Sequence, residues 1–146
     1  MKESSKFPII VQVLGLVQLF IVLTLIYYQT TDKPDIAIAV STGILLLITF
    51  FRIRLKIDEV GIHVRTFLFI KKTYSWEDIK QVNIGKLYPI RHFGGWGLRL
   101  SKTYGIGYIS GTDHAIYLEL HNGKKRAISV KNDVQAEKVI IQYMKK

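Results

Sequence analysis

The chain has 146 residues, a formal net charge of +10 and no cysteine, which excludes disulfides, thiolate chemistry and any cysteine-based metal site. Residues 1–51 carry equal numbers of basic and acidic groups, so the whole positive excess falls on residues 52–146. This length holds one modest domain beside an apolar N-terminal third.

That third contains two apolar runs, residues 7–28 and 36–51, joined by a polar turn around Pro34. No charged residue lies between Lys6 and Asp32, or between Asp35 and Arg52. As a helix, residues 7–28 span about 33 Å, enough for a hydrocarbon core of about 30 Å. The second run gives about 24 Å and reaches further if it extends to residue 53, with Arg52 and Arg54 snorkelling to headgroups. Residues 1–54 are therefore expected to form a two-helix transmembrane hairpin, with spans near 7–28 and 36–53. No small-x-small cleavage site follows the first run, so a removed signal peptide is not expected. Lys2 and Lys6 on one flank, and Arg52, Arg54 and Lys56 on the other, outnumber Lys33 in the loop. The positive-inside rule then predicts a multi-pass inner-membrane protein with both termini cytoplasmic.

From residue 55 the pattern changes to alternation. Leu55 and Ile57, then Ile62 and Val64, flank a turn at 58–61 and predict a hairpin with one buried face. Residues 67–74 predict a third strand, and Val82 and Ile84 lie on one face of a fourth. Glycines and aromatics then interleave over 94–111. Residues 115–120 and 124–130 predict a hairpin across Asn122-Gly123. Asn132 is placed to cap a final helix, with Gln135 as its capping-box partner and Ala136, Val139, Ile140 and Tyr143 on one face. The fold expected of residues 55–146 is a mainly β, seven-stranded bent antiparallel sheet or barrel closed by a C-terminal helix.

Four segments carry a likeness to a known family: Asp58-Glu-Val-Gly-Ile62, Trp76-Glu-Asp-Ile79, Phe93-Gly-Gly-Trp-Gly-Leu-Arg99, and Gly111 leading into 116–124. From about residue 52 onward the chain resembles the small bacterial membrane proteins with a pleckstrin-homology-like (PH-like) domain. That resemblance implies a PH-like barrel with a C-terminal helix. It implies little about activity, and fold alone does not license lipid binding.

The glycines of 92–99 permit close backbone approach and could present N–H groups to an anion beside Arg91, Arg99 and Lys102. Alternatively, Trp96 plugs the barrel and Arg99 pairs with a carboxylate or carbonyl. Lys124, Lys125 and Arg126 follow a hairpin tip, and Lys71 and Lys72 end a strand. Both clusters suit anionic lipid headgroups, or else form solvated strand edges. Gly105, Gly107 and Gly111 miss the dinucleotide-loop spacing. His63, His92, His114 and His121 form no metal-binding pattern, so no metal or cofactor is expected. Ser110, Asp113 and His114 share one turn, a poor setting for a nucleophilic triad. An enzyme would have to use Arg99, His92 or Asp113. No nucleic-acid motif is present. The residues favour a membrane-anchored, non-catalytic PH-like interaction module that binds a protein partner or itself. Anionic headgroup binding is the alternative.

Overall fold

The segment Arg52–Ile57 alternates charged and apolar residues, and in the computed structural model it is strand β2, with Ile53, Leu55 and Ile57 buried and Arg52, Arg54 and Lys56 exposed. The structure describes residues 1–28, 43, 52–66 and 70–144. The chain divides into two compact units, Phe7–Phe51 and the combination of Met1–Lys6 with Arg52–Lys146.

In the larger unit, β2 lies between β1 (Lys2–Lys6) and β3 (Gly61–Thr66), and β3 pairs in turn with β4 (Lys71–Ser75), all antiparallel. The β2–β3 turn is fastened by Asp58. Its N–H donates to the Gly61 carbonyl at 3.1 Å, and its Oδ1 accepts the Val60 N–H at 3.1 Å. Gly61 is required there, because a Cβ would lie 2.1 Å from the Tyr74 carbonyl oxygen.

A 3-10 turn (Trp76–Asp78) leads to a five-stranded sheet of β5 (Ile79–Lys86), β6 (Gly97–Ser101), β7 (Gly105–Ile109), β8 (His114–Leu120) and β9 (Lys125–Val130), in the order β5-β8-β9-β7-β6. Its pairs are antiparallel except β7 with β9, which is parallel. The buried aliphatic faces are Ile53, Leu55, Ile57, Ile62 and Val64 from the first sheet, and Ile116, Leu118, Ile128 and Val130 from the second. Tyr74 and Tyr108 join the sheets through their hydroxyls at 3.2 Å. Burial, then the Tyr74 hydroxyl, pushes the Tyr108 phenol well above its ordinary range.

Between β5 and β6 the short helix α2 (Pro89–Phe93) ends at Gly94 in the left-handed conformation. Phe93 descends onto Gly107 of β7, where a Cβ would lie 2.5 Å from its ring. The helix α3 (Asp133–Met144) buries Ala136 and Ile140, packs on β2 and β8, and stacks Tyr143 on Trp76 with centroids 5.9 Å apart. The Asn132 side chain accepts the Gln135 N–H at 2.9 Å, as a cap does. The reciprocal bond comes from elsewhere: Glu3 of β1 accepts the Asn132 and Lys131 N–H groups, each at 2.9 Å.

In the smaller unit, helix α1 (Ile9–Tyr28) carries the first apolar run. Its Gln12 side chain donates to the Phe7 carbonyl and its Thr24 hydroxyl to the Phe20 carbonyl.

Several expectations are corrected here. Among the described residues, no helix is long and apolar enough to cross a membrane. The N-terminal transmembrane hairpin, the integral two-span membrane partner and the multi-pass inner-membrane localisation with cytoplasmic ends therefore do not stand. They rested on the absence of charge, and a charge-free helix still admits Gln12, Gly15, Gln18 and Thr24, as α1 does. The second predicted span lies outside the described residues except at Gly43. The seven-stranded sheet is likewise replaced, among the described residues, by sheets of four and five strands. The strands that the sequence did not delimit are β1, whose Lys-Glu-Ser-Ser-Lys sequence has no apolar alternation, and β6 and β7 inside the glycine-rich stretch.

Candidate functional site

The four-stranded sheet buries one face and exposes the other, and alternation places its charges on the exposed side. β1 presents Lys2, Ser4 and Lys6, β2 presents Arg52, Arg54 and Lys56, β3 presents Arg65 beside the half-buried His63, and β4 presents Lys71 and Thr73. The register aligns these side chains in rows. Lys6 lies opposite Arg52; Ser4, Arg54, Arg65 and Lys71 form a second row; Lys2, Lys56, His63 and Thr73 form a third. Neighbouring strands are about 4.8 Å apart, and side chains on one face recur about every 6.8 Å along a strand. The face is thus a grid of cations at roughly those spacings.

Like charges directly opposite one another weaken a sheet. Arg54 faces Arg65, and Arg65 faces Lys71. Among the described residues, acidic relief is confined to one corner. Asp58 holds Lys56 Nζ at 2.5 Å and His63 Nε2 at 2.8 Å, and the far ring nitrogen of His63 meets the Thr73 hydroxyl at 2.9 Å. The Lys56 ammonium, then His63 and the Val60 N–H, hold the Asp58 carboxyl well below the usual range. Glu3 borders the face, but its carboxylate is taken up by the N–H groups ahead of α3. Arg54, Arg65 and Lys71 have no ion-pair partner among the described residues. They border a depression of about 680 Å³.

The residues singled out from the sequence fall in several places. Lys71 belongs to the cationic face, whereas Lys72, the register partner of buried Val64, is exposed on the opposite side of β4. Lys102, Lys124, Lys125 and Arg126 gather at the far end of the five-stranded sheet around a hollow of about 490 Å³, where the Arg126 guanidinium donates to the Lys125 carbonyl at 2.6 Å. Arg91, Trp96 and Arg99 sit around α2 and β6. Arg91 is exposed, Trp96 packs half-buried against the cluster of Leu87, Phe93 and Ile109, and Arg99 Nε donates to the Trp96 carbonyl at 2.8 Å. Arg99 thus pairs with a carbonyl, one of the two readings open from the sequence. His92 stacks on Tyr104, whereas Asp113 is exposed and its carbonyl accepts the Leu87 N–H. No hydrogen bond or ion pair connects His92, Arg99 and Asp113 among the described residues, where no group of three or more His, Asp or Glu could hold a metal ion either.

Lys2, Lys6, Arg52, Arg54, Lys56 and Arg65 of the cationic face escaped the sequence reading, which assigned most of them to membrane orientation. A signal was present: basic residues recur at every second position in 52–56, and again at 2 and 6 around a serine. What the face can do chemically is donate hydrogen bonds and positive charge to an anion, with arginines offering paired donors to carboxylates. No protein-family model, curated protein or solved structure matches this chain.

Proposed function

We propose that this chain is a non-catalytic interaction module that holds an acidic protein partner on the outer face of its four-stranded sheet. The observation that carries the reading is the row of Arg54, Arg65 and Lys71, aligned side by side at a cost to the sheet and without a carboxylate among the described residues. An arrangement that weakens the fold is explained when a partner supplies the missing negative charge. A carboxylate-rich partner suits it best. Arginine pairs with carboxylates in bidentate fashion, the rows contain no Phe, Tyr or Trp ring on which a nucleic-acid base would stack, and the face is hollowed rather than flat like a bilayer surface. The resemblance to the bacterial PH-like family is part of the proposal, supported by the two sheets and a C-terminal helix packed on β2 and β8.

The test titrates the full chain with poly-L-glutamate, mixed-sequence double-stranded DNA, and vesicles with and without phosphatidylserine. Saturable binding of poly-L-glutamate is expected, weakening steeply as salt rises from about 0.05 to about 0.5 M. The triple variant Arg54→Ser, Arg65→Ser, Lys71→Ser loses it. Absence of binding at low salt, unchanged binding by the triple variant, or tighter binding of DNA or anionic vesicles overturns the proposal.

A further inference from the structure

The five-stranded sheet carries a second, chemically different hollow on the face away from the core shared with the four-stranded sheet. Small residues make the room. Gly85 lies beside Ala115 on β5 and β8, Ala127 lies beside Gly107 on β9 and β7 with Tyr117 of β8 on its other side, and Phe93 of α2 fills only the part above Gly107. The remainder is a hollow of about 340 Å³, within the usual range of small-molecule sites.

Its walls combine two chemistries. One wall is aromatic: Tyr104 lies with its ring centroid 4.8 Å from that of His92 and 5.2 Å from that of Tyr117. The Tyr117 hydroxyl donates to the Lys86 carbonyl at 3.0 Å, which fixes the ring. Burial, then Tyr104, pushes this phenol up to about 12, so it remains a neutral donor. The other wall is polar and cationic. Lys125 borders the hollow with no ion-pair partner among the described residues, and the Asn83 amide shares this face with no hydrogen bond there. Glu119 is the acid on this wall, and Lys80 already holds it at 2.9 Å. Glu119 is thereby neutralised, and the site is left net positive.

We infer that this hollow is a binding site for a small ligand that joins a flat aromatic ring to a phosphate-type anion, as a nucleoside monophosphate or an aryl phosphate does. The ring lies against Tyr104 and Tyr117, the anion meets Lys125, and Asn83 is placed to bond the ring edge or its linker. The site lies on a different sheet from the cationic grid and does not depend on the acidic-partner reading.

Equilibrium dialysis of the full chain with labelled adenosine monophosphate tests this, with phenyl phosphate, adenosine and inorganic phosphate as competitors. Saturable binding is expected. Phenyl phosphate competes if the shared chemistry suffices; if it fails while the nucleotide binds, the ligand class narrows to nucleotides. Adenosine competes about tenfold less well, having lost its charged hydrogen bonds, and inorganic phosphate does not compete at equal concentration. Lys125→Ala weakens binding about tenfold, and Tyr104→Leu weakens it about fivefold or more. Gly85→Leu abolishes binding without a loss of thermal stability, since a Cβ there meets only the Tyr117 ring, at 3.8 Å. Absence of saturable binding overturns the inference. So does competition by inorganic phosphate or adenosine equal to that of the nucleotide, or undiminished binding by both Lys125→Ala and Gly85→Leu.

Discussion

Glu3 caps a helix that begins at the other end of the chain: its two carboxylate oxygens accept the backbone N–H groups of Lys131 and Asn132, each at 2.9 Å. Asn132 in turn accepts the Gln135 N–H, so strand β1 and helix α3 share one capping arrangement. The first N–H groups of a helix have no partner within it, and an external carboxylate there also meets the positive end of the helix dipole. Glu3→Ala is expected to lower the unfolding free energy by about 1–2 kcal/mol. Glu3→Gln, which retains one acceptor oxygen, should lose about half as much. Chemical denaturation of the two variants beside the unaltered chain measures both.

Asp58 links acidity to stability. Its carboxyl is held down by Lys56 first, then by His63 and the Val60 N–H. A depressed folded-state value stabilises the fold above the unfolded value of about 3.9, and that contribution is lost as pH falls below it. Asp58→Asn should therefore be less stable than the unaltered chain at neutral pH. The gap should close as pH falls from about 5 to about 2. Thermal midpoints across that range decide it, and a gap that does not change with pH would remove the ion pair as the cause.

Arg65 has like charges on both sides, Arg54 on one and Lys71 on the other. Arg65→Thr relieves both pairs and keeps a residue suited to strands, so it should stabilise the fold by about 0.2–1 kcal/mol. The same change should weaken binding of poly-L-glutamate. Opposite signs in the two measurements are the mark of a side chain retained for contact rather than for the fold.

Gly107 leaves space for Phe93. A Cβ at 107 would lie 2.5 Å from one ring carbon and 2.7 Å from the next, with Ile109 at 2.9 Å. Gly107→Ala should destabilise by about 1–3 kcal/mol, the usual effect of overfilling a packed site. Combining it with Phe93→Leu should recover part of the loss, a coupling visible in a double-mutant cycle.

The strands that announced themselves in the sequence were those whose own residues alternate, such as Arg52–Ile57 and His114–Leu120, together with a final helix begun by Asn132. Their burial pattern is local, and so it is written locally. Strand β1 is different. Lys2–Lys6 becomes a strand by pairing with β2, whose residues come some fifty positions later, and no local pattern encodes that partner. The glycine-rich stretch concealed a short helix and two strands, because Gly105 and Gly107 are placed by close approach to Lys125 and Phe93, and Gly94 by the left-handed end of α2, rather than by any periodicity. The cationic face was hidden for the same reason. Arg54, Arg65 and Lys71 are ordinary surface residues until the register sets them side by side. The apolar N-terminal runs misled in the other direction, since a lack of charge was weighed without the glutamines of α1.

Lys6 and Arg52 are register partners on adjacent strands, so the chain departs from the larger unit and returns to it at neighbouring points. Residues 7–51 are thus topologically an insertion, spliced into what is otherwise the bend of a β-hairpin. A two-residue Asn-Gly turn between Lys6 and Arg52 would join β1 to β2 directly and shorten the loop that folding must close. The two-sheet unit is then a transplantable body whose architecture does not require the segment threaded between its first two strands.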